Sequence, residues 1–375
     1  MIKTKFLSTA IGSMPFEDPS YAVDISLKSM DAPIWPQLPK LGLLEQMEVQ
    51  YSENIPCAVI DTEKNRMFFQ TDVDYSEKFA EFYENYMTAC EIDGSTESGV
   101  SKEPGISKET HDFSSMAISE KYSKGIYALL KILKEKGSAN GVCKLPWLKV
   151  QSTGPVTFAL SITDENKRAI YYNEEFRDVI VKSIVMKSRW QIQQFKPYAE
   201  NIICFIDEPI LSAFGSSTYV SVKRDDVVSI LSEVIEAIHA EGAVAGIHCC
   251  GNTEWSILID AGVDIVNFDA FEYGETIAMY AGHVKQHLEK GGALAWGVVP
   301  TSEKIRVQTA QTLEIQLEKV MDNLAAKGVD KTLITERAII TPSCGTGSLS
   351  ADDAQNVFSL MAELTKRMKE KYKFN

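Results

Sequence analysis

From about residue 140 to the C-terminus the chain repeats one unit: a short apolar run, a turn containing Gly, Pro, Asn or Asp, and a helical stretch of period near 3.6. The runs fall at 148–152, 201–206, 243–248, 264–268, 293–298 and 338–341, with helices near 175–195, 223–241, 274–290, 303–327 and 351–371. Their apolar character is continuous rather than alternating, as in strands covered by helices on both faces of a parallel sheet. Two earlier candidates, 9–11 and 57–61, bring the count to eight. Eight such units predict an α/β fold, a closed (β/α)8 TIM barrel, with its reactive residues at the C-terminal ends of the strands.

The region 34–140 fits the repeat poorly. Trp35-Pro36-Gln37-Leu38-Pro39 reads as a rigid loop, 76–90 as an aromatic-rich helix, and 94–115 as a polar Gly/Ser/Thr-rich loop. The expectation is one barrel domain over 1–375, with 34–140 inserted as a cap on its mouth. A content of 45% hydrophobic and 24% charged residues excludes disordered and fibrous classes. The net charge of −14 repels phosphate backbones and anionic lipid surfaces, so neither nucleic acid nor membrane is an expected partner. No apolar run approaches the ~18 to 20 residues of a membrane span, and the N-terminal run is too short for a signal peptide, which predicts a cytoplasmic protein. No G-x-G-x-x-G or Walker pattern is present to support a nucleotide cofactor.

The chemistry concentrates at strand ends. His248-Cys249-Cys250-Gly251-Asn252 lies where an apolar strand runs into a turn. Residues two apart share a face of a strand, so His248 and Cys250 point together and Cys249 points away. Imidazole nitrogen and thiolate suit zinc. Cys344, followed by Gly345 at the end of the last run, would complete a His-Cys-Cys set with one coordination position open, and an open position means catalysis. Cys57, Cys90, Cys143 and Cys204 have no paired spacing and read as core, while His111, His239, His283 and His287 read as surface residues. Asp207 and Glu208 close the run 201–206 as a carboxylate pair at the mouth and are the expected catalytic, ligand-binding pair, with a helix cap as the alternative. Asp269 ends the run 264–268, with Glu272 just beyond. Either is an oxygen ligand to the metal or a partner that orients His248.

These residues together resemble the catalytic half of cobalamin-independent methionine synthase, and more broadly the superfamily it shares with uroporphyrinogen decarboxylase and the methylcobalamin:coenzyme M methyltransferases. The likeness spans nearly the whole chain. Ile11-Gly12-Ser13 is similar to the motif that touches the amino-acid end of homocysteine, Gly154-Pro155-Val156-Thr157 to the next barrel-strand motif, and Ile206-Asp207-Glu208-Pro209 to the segment whose Asp holds the substrate amino group. His248 and Cys250 match the zinc pair, Cys344 the late zinc Cys, and Asp269 corresponds by position to the zinc Glu.

The departures from that family bear on the methyl donor. Ser161 stands in place of the Trp that stacks on folate, Ala213 in place of a folate-contacting Glu, and no counterpart of the proton-donating His occurs near Trp296-Gly297-Val298-Val299-Pro300. The coenzyme M methyltransferases, which share the H-x-C-G and distant Cys, take their methyl group from a corrinoid. The resemblance therefore implies a zinc-dependent methyltransferase that moves a methyl group from methylcobalamin or a corrinoid protein to a thiol such as homocysteine or coenzyme M. Loss of a methyl group to the thiol leaves cob(I)alamin, which needs no proton donor. The loop 94–115 is the expected partner-facing segment. Two other readings follow from the same residues: a tetrapyrrole- or corrinoid-binding protein without methyltransferase activity, and a hydrolase with water at the open zinc position.

Overall fold

The computed structural model describes residues 3–90, 111–140 and 144–374. The expected partner-facing role of 94–115 therefore falls mostly outside the described residues, as does the core role of Cys143. All six apolar runs of the C-terminal two-thirds are strands. In chain order the strands are β1 (Leu7–Ser8), β2 (Ala58–Asp61), β3 (Arg66–Phe69), β4 (Leu145–Thr153), β5 (Ala199–Asp207), β6 (Val244–Cys249), β7 (Ile265–Phe268), β8 (Ala293–Val299) and β9 (Ala338–Pro342). Among the described residues, seven of them form one curled parallel sheet in the order β1-β9-β8-β7-β6-β5-β4, flanked by helices that include Glu174–Phe195, Arg224–Ala240, Ala310–Ala326 and Ala351–Tyr372. Several of these helices start on a side-chain cap: Asn173 accepts from Phe176 N, Thr309 from Thr312 N, and Ser350 from Asp353 N. The cap at Thr309 divides the expected helix 303–327 into a 3-10 turn, Glu303–Val307, and the helix proper.

Two of the eight expected strands differ. The run 57–61 is not part of the parallel sheet, because Ala58–Asp61 pairs antiparallel with Arg66–Phe69 in a separate hairpin. The first strand is Leu7–Ser8 rather than 9–11, paired with Ile339 and Ile340 of β9. Between β1 and β4 runs the irregular segment 31–37, part of what reads in sequence as cap. Ala32 N donates to Ser8 O at 2.9 Å, Gln37 N to Gly12 O at 2.9 Å, and on the other side Lys149 N donates to Pro33 O at 2.9 Å. Pro33 and Pro36 lack the N–H groups a regular ladder needs, so the gap is crossed by isolated bridges rather than a strand.

The two faces of the sheet bury different sets. Leu7, Ile203, Phe205, Ile265, Ala293, Ala295 and Ile339 form a cluster on the concave face, separate from the large core beneath the helices. Further along the same strands the concave-face positions turn polar, at Gln151, Thr153, Asp207, His248 and Asn267, all buried. The stretch before β4 is tied down by the buried Lys187 of the helix Glu174–Phe195, whose Nζ donates to Glu53 O at 2.5 Å and Met116 O at 3.4 Å. Tyr51 donates its hydroxyl to Gln151 O and accepts from Gln191 Nε2 at 2.9 Å.

Candidate metal centre

Parallel pairing places Thr153 of β4, Asp207 of β5, His248 of β6 and Asn267 of β7 on one rung. In-register neighbours of a parallel sheet point to the same face about 4.8 Å apart, so these four side chains stand in a row above the apolar cluster. Cys250 follows His248 just past the end of β6, and Cys344 lies just past β9. His248, Cys250 and Cys344 converge, with one ligand atom of each within 4.8 Å of the others.

The protonation pattern of His248 follows from its neighbour. Asn267 Nδ2 donates to Ala295 O and to Thr341 Oγ1, both at 2.9 Å. A carbonyl only accepts, so the Asn267 amide is oriented with Oδ1 toward His248 Nδ1, 2.5 Å away. Nδ1 therefore carries the proton and Nε2 presents its lone pair. Nε2 is buried without a hydrogen-bond partner, which is the condition of a nitrogen meant for a metal ion.

The electrostatics favour a cation. Cys344 and then His248 hold the Cys250 thiol well below its ordinary value, and Cys250 in turn pushes Cys344 up, so the pair shares one thiolate. Burial disfavours protonating His248, yet Cys250 and Asp207 outweigh it and its pKa lies above the ordinary value. Two sulfurs and an imidazole are ligands of a soft or borderline metal ion, and His248, Cys250 and Cys344 fit such an ion. Cys249, one residue from both ligands, points to the opposite face, where burial raises its thiol to about 12.

The carboxylates divide by the same alternation. Asp207 lies on the concave face with Oδ1 buried and unpartnered. Burial pushes its carboxyl up, while Lys149 and His248 draw it back. Lys149 is itself fully buried, with Nζ 3.2 Å from Gln151 Oε1 and 4.7 Å above the Phe205 ring, and burial lowers it to about 8. Glu208 points away. Its Oε1 accepts from Val156 N at 2.9 Å, and its Oε2 from Thr157 N at 2.7 Å and Thr157 Oγ1 at 2.6 Å, closing the N-terminus of the helix Pro155–Ser161. A Cβ on Gly154 would lie 2.0 Å from Glu208 Cδ, so only glycine allows this lock between the Gly154–Thr157 and Asp207–Glu208 motifs.

Ser13 sits against the Cys344 turn: its carbonyl accepts from Thr346 N at 2.9 Å, and a Cβ on Gly345 would lie 2.0 Å from Ser13 Oγ. Ile11 is buried, and Gly12 packs against the Gln151 side chain. Asp269 is buried beyond β7 and accepts from Glu272 N at 2.8 Å. Burial raises it to about 6, and it is not among the three converging ligands. Glu272 turns outward to Lys304 at 2.5 Å. His287, expected at the surface, is buried, with Nε2 3.3 Å from Ala293 O. A surface groove of about 530 Å³ opens at the opposite ends of β7 and β8, lined in part by Asp264, His283 and Gly292, and holds none of the converging ligands.

Thr153, Lys149 and Asn267 are absent from the sequence-based expectations. Asn267 is a polar residue inside the apolar strand β7, whereas Lys149 and Thr153 lie among the other polar residues of β4, Gln151 and Ser152.

No family model and no curated protein matches the chain. Among solved structures, a putative fructose-1,6-biphosphate aldolase from Coccidioides immitis is 9% identical over 66% of this chain and 78% of that one, with a TM-score of 0.29. A Xaa-Pro dipeptidase with bound methionine in the active site is 15% identical over 65% of this chain and 61% of that one, also with a TM-score of 0.29. At that score neither likeness carries an argument about fold or activity. No helix among the described residues is long and apolar enough to cross a membrane.

Proposed function

We propose that the protein is a zinc-dependent methyltransferase on a TIM-barrel scaffold, moving a methyl group from methylcobalamin or a methylated corrinoid protein to a small thiol. The observation that carries this reading is the convergence of a His248 ring nitrogen with the Cys250 and Cys344 sulfurs, beside a buried carboxylate, Asp207, that has no partner for Oδ1. Three protein ligands leave a tetrahedral ion one position for substrate. Zinc held there would supply the positive charge that draws an incoming thiol into its thiolate form at neutral pH. The protein's own residues do the rest. Asn267 fixes the tautomer of His248, Glu208 locks the β5 turn so that Asp207 faces the centre, and Asp207 receives the polar end of the acceptor. The corrinoid donor rests on the family resemblance, in which Ser161 and Ala213 replace the folate contacts.

The test is methyl transfer to L-homocysteine and to coenzyme M by zinc-loaded protein. Turnover is expected with methylcobalamin or a methylated corrinoid protein and not with methyltetrahydrofolate. Robust turnover with the folate donor alone would overturn the donor assignment, and no transfer from either donor would overturn the activity.

A further inference from the structure

Three of the chain's five histidines, His239, His283 and His287, gather around Asp264 at the end of the sheet opposite the His-Cys-Cys centre, and the proposed chemistry gives them no role. The groove of about 530 Å³ at that end is lined by Asp264, His283 and His287. The two histidines are four residues apart on the helix Ala281–Glu289 and so share one face of it. Asp264 is held from behind, where its Oδ2 accepts from Ala245 N at 2.8 Å and lies 2.7 Å from His239 Nε2, leaving Oδ1 without a hydrogen-bond partner among the described residues. His287 is 6% exposed, and its Nε2 lies 3.3 Å from Ala293 O. A carbonyl only accepts, so Nε2 carries the proton and Nδ1 keeps its lone pair. Burial lowers the pKa of His287 and keeps the ring neutral. A neutral imidazole whose other N–H is fixed by a backbone carbonyl is the arrangement of a metal-ligating histidine. A Cβ on Gly292 would lie 2.2 Å from His287 Cε1, so glycine there makes room for the ring.

We propose that His283, His287 and Asp264 bind a divalent transition-metal ion of the borderline class, such as cobalt(II), nickel(II) or zinc, at a second site independent of the His-Cys-Cys centre. Two imidazoles one helical turn apart and a carboxylate from a neighbouring element are nitrogen and oxygen donors that such ions accept. The helix Ala281–Glu289 ends at this groove, and the partial negative charge of its C-terminus favours a cation there. Lys290 also lines the groove, on an exposed and rotatable side chain. Among the described residues, only His248, Cys250 and Cys344 already converge as a set of three. In the groove His287 and Asp264 are the fixed donors, and His283, which is exposed, closes onto the ion by side-chain rotation. With no thiolate and one exposed ligand, this site is the weaker of the two: it fills after the His-Cys-Cys centre and empties on dialysis. Once filled, it ties the helix Ala281–Glu289 to the start of β7.

The experiment titrates cobalt(II) into the metal-free full chain, followed by calorimetry and by the thiolate-to-cobalt charge-transfer band, which reports the His-Cys-Cys centre alone. The proteins are wild type, His283→Ala, Cys250→Ala and the variant carrying both substitutions. His283 is exposed, so its replacement leaves the fold intact. Wild type is expected to bind two ions, with the band complete after the first. His283→Ala should keep the band and weaken the second ion about tenfold or more. Cys250→Ala should lose the band yet keep the groove's ion, so that cobalt still raises its melting temperature, a rise that the double variant should lack. A wild type that binds only the ion giving the band, or a His283→Ala protein that binds the second ion as tightly as wild type, overturns the groove site and marks any further ion as adventitious. Neither result touches the His-Cys-Cys centre, which the band reports separately.

Discussion

Asn267 is the side chain on which the geometry of the metal centre turns, and replacing it by leucine is the sharpest perturbation of that geometry. Leucine is close to asparagine in shape, so Asn267→Leu removes three hydrogen bonds while filling the same space: one to His248 Nδ1 at 2.5 Å, one to Ala295 O and one to Thr341 Oγ1, the last two at 2.9 Å. The site is fully buried, so no water replaces the lost acceptor. The imidazole then loses the partner that keeps its proton on Nδ1, and the tautomer with the proton on Nε2, which cannot bind a metal, becomes accessible. Loss of such an outer partner weakens metal binding about 10- to 100-fold, or roughly 1.4 to 2.8 kcal/mol. Stability of the metal-free protein should fall by about 1 to 3 kcal/mol from the unsatisfied Nδ1–H and carbonyl groups. Zinc affinity is measured by competition with a chromophoric chelator, and stability by urea unfolding after metal removal. An Asn267→Leu protein that is folded and binds zinc within threefold of wild type would refute the tautomer argument.

Other outcomes follow from the same structure. Cys250→Ala or Cys344→Ala should abolish stoichiometric zinc binding, whereas Cys249→Ala, on the opposite face, should leave it intact; metal analysis after dialysis distinguishes them. Glu208→Gln should lower unfolding free energy by about 1 to 3 kcal/mol, because both carboxylate oxygens accept from donors and the amide nitrogen would meet an N–H or hydroxyl; unchanged stability would remove the lock assigned to Glu208. Burial lowers Lys187 to about 7, so above that pH the unfolded chain binds more protons than the folded one and stability rises with pH. Between about pH 7 and 8.5 this contributes up to about 1.4 kcal/mol per pH unit, a slope that Lys187→Met should lack in denaturation curves taken across that range.

The legible part of the fold was the part with strands buried on both faces, since continuous apolar runs followed by amphipathic helices have few other uses. The run 57–61 imitates such a strand in composition, but Ala58–Asp61 is only half-buried and belongs to a hairpin. The segment 31–37 hides for the opposite reason: its prolines erase the periodic signal while its remaining N–H and C=O groups still bridge β1 and β4. At the site, the H-x-C spacing placed two ligands on one face by strand alternation alone. The same alternation applied to Asp207 and Glu208 separates a carboxylate facing the centre from one facing a helix, a distinction that adjacency in sequence obscures. Thr153 and Asn267 acquire meaning only from cross-strand register, which depends on how four strands far apart in the chain align.

The central claim is a zinc ion held by His248, Cys250 and Cys344 with one position open to a thiol, and zinc X-ray absorption with and without L-homocysteine tests it most directly. The account predicts one zinc per chain with two sulfurs at about 2.3 Å and nitrogen or oxygen at about 2.0 to 2.1 Å, the sulfur count rising to three when the thiol is added. A metal shell of nitrogen and oxygen alone, or a sulfur count that does not change with homocysteine, would contradict it.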